Sequence, residues 1–190
     1  MKILMEGHGS RNGICERFTK RNETDRNHHP IPLLANGPGT GKSRFLQEIP
    51  TLLREQIENY RMYAVNVTFG NGTPAKSVDV PIDETSVALR ILYEHFISGG
   101  TYDYEKFVRM CGENYKITIS GALDVVLKDI DTDISMIILG IDELNNLHKL
   151  YTEFKSTKST GTIQGPLEEM FKGSTYRYLP LRLLQSQEVQ

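Results

Sequence analysis

Hydrophobic positions along the chain follow two periods, and the switches between them mark the elements. "IPLLA" at 31–35 is a short apolar run bounded by Pro30 and by Asn36-Gly37, which predicts a buried strand beginning at an X-Pro step. "SRFLQEI" then sets Phe45, Leu46 and Ile49 at helical spacing, and Pro50 is expected to end or kink that helix. A second helical stretch over 51–60 resumes with Leu52, Leu53 and Ile57. "MYAVNVTF" at 62–69 is β-branched and aromatic and stops at Asn71-Gly72, so it reads as a strand and a turn. Val87, Leu89, Ile91, Leu92, His95 and Phe96 lie on overlapping helical faces after a Thr85-Ser86 start, closed by Gly99-Gly100. Two further amphipathic helices are expected over 104–111 and 120–130. "SMIILGIDE" is a nearly continuous apolar run ended by two acids, the pattern of a central parallel strand buried on both faces. A helix is expected over 144–154 and a polar loop over 155–162. A last strand in "RYLPLRLLQ" follows, where Pro180 argues for a sheet edge. Strands alternating with helices predict an α/β protein with a sheet of doubly wound type.

At 190 residues the chain has the length of one domain. The first 29 residues are polar and mixed in charge, and are expected to be a loosely ordered arm ahead of a domain over 30–190. A net charge of -2 carries no polyanion footprint, so nucleic acid is not supported as a partner. Cys15 and Cys111 are too few and too distant for a disulfide framework. The N-terminus lacks the apolar core of a signal peptide, and no stretch approaches the roughly 18 apolar residues that span a bilayer. His8, Cys15, His28 and His29 match no common zinc spacing, and His95 reads as a core or boundary histidine.

Two motifs carry chemistry. "NGPGTGKS" at 36–43 follows a predicted strand and opens a predicted helix, the place a phosphate-binding loop must occupy. Its glycines let backbone N–H groups approach an anion, and the helix N-terminus adds partial positive charge. Lys42 can reach β- and γ-phosphate oxygens, and the Ser43 hydroxyl can bind Mg²⁺. Asn36 stands where the pattern G-x-x-x-x-G-K-[ST] has its first Gly; Asn tolerates left-handed backbone better than most residues. The second motif is "IILGIDE" at 137–143. A parallel strand delivers Asp142 beside the loop, where it can hold Mg²⁺, and Glu143 next to it can orient or activate water. Taken alone, the two acids could equally cap a helix N-terminus.

Together these motifs resemble the Walker A and Walker B of AAA+ and signalling P-loop ATPases. "PLLANGPGTGKSRFLQEIP", "VNVTFGNGTP", "ILGIDELNNL" and "GTIQGPLEEMF" with "LPLRLL" further resemble the ATPase module of Crinkler-type effectors, which are related to retrotransposon hot spot proteins. The resemblance implies a three-layer P-loop NTPase fold, its mostly parallel central sheet flanked by helices, with a helical insertion between the two Walker motifs. It implies ATP and Mg²⁺ as cofactors, and nucleotide contacts from Gly37, Pro38, Gly39, Thr40, Gly41, Lys42, Ser43 and Arg44. It further implies metal binding by Ser43 and Asp142, catalysis by Glu143 with Lys42, and Thr162 as γ-phosphate sensor, with Thr175 as substitute. A homo-oligomer or a host protein is the implied partner, and the implied location is secreted, within a host cell and its nucleus. A C-terminal lid, a clear arginine finger, a translocation region and a toxin domain are not found in this sequence.

ATP is favoured over GTP because "TKST" at 157–160 lacks the Asp of a guanine-reading signature. The expected activity is Mg²⁺-dependent ATP hydrolysis. The alternatives are a nucleotide-gated binding module with little turnover, a small-molecule kinase, and a truncated family fragment. The Asp-Glu ending of the second motif argues for water over a hydroxyl substrate as nucleophile.

Overall fold

The computed structural model describes residues 2–9, 11–20, 33–36, 39–55, 61–76, 84–112, 116–130, 136–147, 149–150 and 179–185. In chain order the elements are α1 (Lys2–Glu6), β1 (Gly7–His8), β2 (Arg11–Asn12), α2 (Ile14–Thr19), β3 (Leu33–Asn36), α3 (Lys42–Arg54), β4 (Met62–Thr68), α4 (Thr85–Phe96), α5 (Tyr104–Cys111), α6 (Ile119–Ile130), β5 (Met136–Asp142) and β6 (Leu179–Gln185). The chain is mixed α/β. Four strands form one sheet in the order β3-β6-β5-β4, every adjacent pair parallel.

Because the strands are parallel, all four carboxyl ends face the same side, where ligands of such sheets collect. β5 is apolar on both sides, as expected of a strand covered twice. Alternation along it sorts the core. Ile137, Leu139 and Ile141 join Val65 and Val67 of β4 under α4 and α6, in a cluster with Val87, Ile91, Ala122 and Val126. Ile138 packs with Leu46, Ile49 and Leu53 of α3 and Met62 of β4. Asp142, in step with Ile138, is thereby delivered to the α3 face.

Within the segment expected as a loose arm, residues 2–20 form α1, α2 and the antiparallel β1–β2 pair. Met5 and Ile14 are buried in the same cluster as α3. Ile14 stands among polar neighbours, and Met5 ends an apolar run of only three residues, too short to show a period. Residues 21–30 lie outside the described residues.

Pro50 neither ends nor visibly splits α3, which runs unbroken from Lys42 to Arg54. A proline at 50 has no N–H for the carbonyl four residues back, Leu46. That carbonyl is met from the sheet: Asn66 Nδ2 donates to Leu46 O at 3.4 Å. Asn66 fits there because its register partner on β5 is Gly140, where a Cβ would lie 2.2 Å from Asn66 Oδ1. We expect Asn66→Ala to cost about 1–2 kcal/mol in urea melts, the lower part of the range for stranding a buried acceptor, since the bond is long. In a Pro50→Ala background the restored helical N–H should remove most of that cost; an unchanged cost in the double variant would sink the pairing.

The position of β6 departs from expectation. Leu179–Gln185 is a strand, but it lies inside the sheet between β3 and β5. Pairing with β5 spans Leu179 to Arg182, and pairing with β3 begins only at Arg182. Pro180 therefore sits where β6 has a neighbour on one side only, so its missing N–H is compatible with an interior strand. The helix expected over 144–154 is seen at 144–147 and 149–150, and the loop expected over 155–162 lies outside the described residues.

The helices between β4 and β5 form as expected. Asp103 caps α5 by accepting from Lys106 N at 2.8 Å. Among the described residues no helix is long and apolar enough to cross a membrane. His95 bridges elements: Tyr63 Oη lies 2.6 Å from its Nδ1 and Asp129 Oδ2 lies 2.9 Å from its Nε2. It thereby joins β4, α4 and α6. Burial, then the Asp129 charge, raises the Tyr63 phenol above its usual pKa.

Candidate functional site

The site forms where the carboxyl ends of β3 and β5 meet the N-terminus of α3. Asn36 is the last residue of β3, paired with Gln185. An extended position is open to any residue, so the glycine that the loop pattern calls for at 36 is not required here. The turn is made further on, by Gly39 at φ 74° and Gly41 at φ 80°, both in the left-handed region. Nothing crowds a Cβ at either position, so it is backbone conformation and not space that asks for glycine. Thr40 between them is exposed, and Gly37 and Pro38 lie outside the described residues.

Lys42 and Ser43 open α3. Lys42 is only 7% exposed. The Ser43 hydroxyl donates to Asp142 Oδ2, joining residues 99 apart in sequence. The other Asp142 oxygen accepts from the Glu143 backbone N–H at 2.9 Å, and the residue as a whole is 7% exposed. A hydroxyl and a carboxylate converging on one point is a hard-oxygen donor pair, the set Mg²⁺ prefers. Arg44 points away: its side chain is solvent-exposed and pairs with Glu48 at 2.7 Å, and that bond and charge raise its pKa.

Among the described residues Glu143 is the one non-glycine with a positive φ, 54°. Holding such a residue in left-handed backbone costs on the order of 1–3 kcal/mol, and such positions cluster at functional sites. Its carboxylate lies on Gly70, in the turn after β4, where an added Cβ would stand 1.1 Å from Oε2. Asn146, one helical turn on, donates through Nδ2 to Phe69 O at 3.1 Å and to Glu143 Oε2 at 3.5 Å. Phe69 N in turn donates to Asp142 O at 3.1 Å.

Ser43, Gln47, Asn66, Thr68, Asp142 and Glu143 all border one cleft of about 320 Å³. That volume is at the low end of small-molecule sites, and its walls are mainly polar side chains.

Of the residues singled out from sequence, Ser43, Asp142 and Glu143 come together at the cleft, with Gly39, Thr40, Gly41 and Lys42 immediately before Ser43 in the chain. Thr162 and Thr175 lie outside the described residues. Sequence reading missed Gly70, Asn66 and Asn146. Asn146 had a signal, since it stands three residues after Glu143 at the start of a helix and so shares its face. Gly70 and Asn66 had none, because their partners are remote in sequence.

The chain is similar to Crinkler effector protein 108 of Phytophthora sojae, at 32% identity over an alignment of 142 residues. The alignment covers 65% of this chain and 17% of that protein, so the chain corresponds to a minor part of its relative. This similarity supports the Crinkler resemblance read from the motifs. No family model matches the chain, and no solved structure matches it.

Proposed function

We propose that this chain is an AAA+-like P-loop ATPase module of the Crinkler family, binding ATP with Mg²⁺ and hydrolysing it. The observation that carries the reading is the meeting of Ser43 and Asp142 across the sheet. Two motifs that each admit a bland explanation in sequence converge on one point. The strand order supports it as well, since the loop-bearing β3 and the acid-bearing β5 flank a third parallel strand.

In this reading the N–H groups of the 37–43 loop hold the triphosphate, and Lys42 neutralises charge on its β- and γ-oxygens. Ser43 and Asp142 would hold Mg²⁺, which when bound screens the charge of the phosphate oxygens. Glu143 accepts a proton from water as the water oxygen attacks the γ-phosphorus. The bond from that phosphorus to the β–γ bridging oxygen breaks, and its electron pair leaves with ADP. Delivery into a host cell is proposed with the family.

The test is ATP binding and turnover by the purified chain beside Lys42→Ala. Removing one charge-assisted contact of about 1.5–3 kcal/mol should weaken nucleotide binding by about 10- to 150-fold. It should also abolish thermal stabilisation by MgATP at concentrations that stabilise the wild type. Equal stabilisation of both proteins would reject the nucleotide site.

A further inference from the structure

We infer that Asn146 is a positioning residue for Glu143, holding the Glu143 carboxylate against Gly70 by tying it to the Phe69 carbonyl. The inference rests on the hydrolytic role proposed above for Glu143.

Hydrogen-bond logic fixes the orientation of the Asn146 amide. Phe69 O can only accept, so the group facing it at 3.1 Å must be the NH₂ of Asn146. Its second hydrogen is then available to Glu143 Oε2 at 3.5 Å, another acceptor. The amide oxygen is left for Asn145 Nδ2, also at 3.5 Å. All three contacts agree on one orientation. The opposite wall is Gly70, and only a residue without Cβ leaves room for the carboxylate there. Gly70 N donates to Thr68 Oγ1 at 3.0 Å, which sets the turn that forms this wall.

The anchor is itself fixed. Phe69 O also accepts from Ala75 N at 3.2 Å, closing the turn after β4, while Phe69 N holds Asp142 O. The metal-binding acid and the water-activating acid are therefore positioned from one residue, Phe69. A loosely held Glu143 would need to find its orientation at each turnover, which raises the barrier without altering ground-state binding.

The experiment uses the whole chain and compares wild type, Glu143→Gln, Asn146→Ala, Asn146→Asp and Gly70→Ala by steady-state ATP hydrolysis and by urea denaturation. Asn146→Ala and Gly70→Ala should each lower kcat by about tenfold or more with KM unchanged. Gly70→Ala reaches Glu143 without touching Asn146, and needs no unusual backbone, since Gly70 is not among the positive-φ residues. Asn146→Asp removes the NH₂ group that links Phe69 O to Glu143 Oε2 and should likewise lower kcat with KM unchanged. A role confined to folding would lower the denaturation midpoint without splitting kcat from KM. Wild-type kcat in Asn146→Ala or in Asn146→Asp overturns the inference. If Asn146→Ala does not fold, the other two variants decide. Loss of hydrolysis in Glu143→Gln alone leaves the ATPase reading standing while the positioning role falls. A wild type that hydrolyses no ATP removes both.

Discussion

Glu143→Gln is expected to lower ATP turnover by about 10²- to 10⁴-fold, the range lost when a positioned general base is removed. Nucleotide affinity should hold within about twofold, because a base that acts only in the transition state contributes nothing to ground-state binding. The amide keeps the shape of the side chain, so its fit against Gly70 survives and the change is one of proton affinity alone. Single-turnover hydrolysis with excess enzyme, run beside equilibrium binding of ATP, separates the two quantities. Turnover above about a tenth of wild type would remove Glu143 from its role. A parallel loss of binding would instead make it a structural residue, tied to its left-handed backbone at φ 54°.

Arg90→Ala should produce the largest loss of stability. Arg90 is fully buried on α4, at 0% exposure. Its guanidinium donates to the carbonyls of Thr68, Thr73, Pro74 and Ser86 and to the Tyr104 hydroxyl, at 2.8 to 3.2 Å. Its plane lies between two rings, 4.1 Å from the centroid of Phe69 and 4.3 Å from that of Tyr104. Truncation would open a cavity of side-chain size and leave several buried acceptors unmet, together about 4 kcal/mol. That is a large fraction of the 5–15 kcal/mol typical of whole domains. Lysine should rescue only part of it, since an ammonium has three donors and no planar face to stack. The denaturation midpoint in urea measures the effect; a loss under about 1 kcal/mol would mean the loop carbonyls find water instead. Arg90 also grips the turn from Phe69 to Ala75, which holds Glu143 and Asp142. Arg90→Lys should therefore lower kcat before it lowers nucleotide affinity.

Periodicity was sufficient for the elements that are local in origin. β4, α4, α5, α6 and β5 fall where the apolar spacing puts them, because a strand or an amphipathic helix is written in residues a few positions apart. The loop chemistry was local too: Gly39, Gly41, Lys42 and Ser43 are consecutive or nearly so. Pro50 shows where local rules stop. The proline rule is sound for an isolated helix, yet α3 continues because Asn66, sixteen residues later and on another element, supplies the missing donor. Met5, at the end of a three-residue apolar run, and Ile14, alone in a polar stretch, gave no periodic signal, and their burial depends on packing with α3.

The sequence alone thus determined the alternation of strands and helices, the glycine-rich turn that opens α3, and the identity of the acids at the end of β5. The tertiary structure alone decided that β6 enters the sheet between β3 and β5, and that Ser43 reaches Asp142. It also decided that Gly70 and Asn146 enclose the Glu143 carboxylate. The physical reason is separation along the chain. Strand order and side-chain convergence are set by which buried surfaces and unmet hydrogen bonds find one another in space, and no spacing rule of a few residues encodes that.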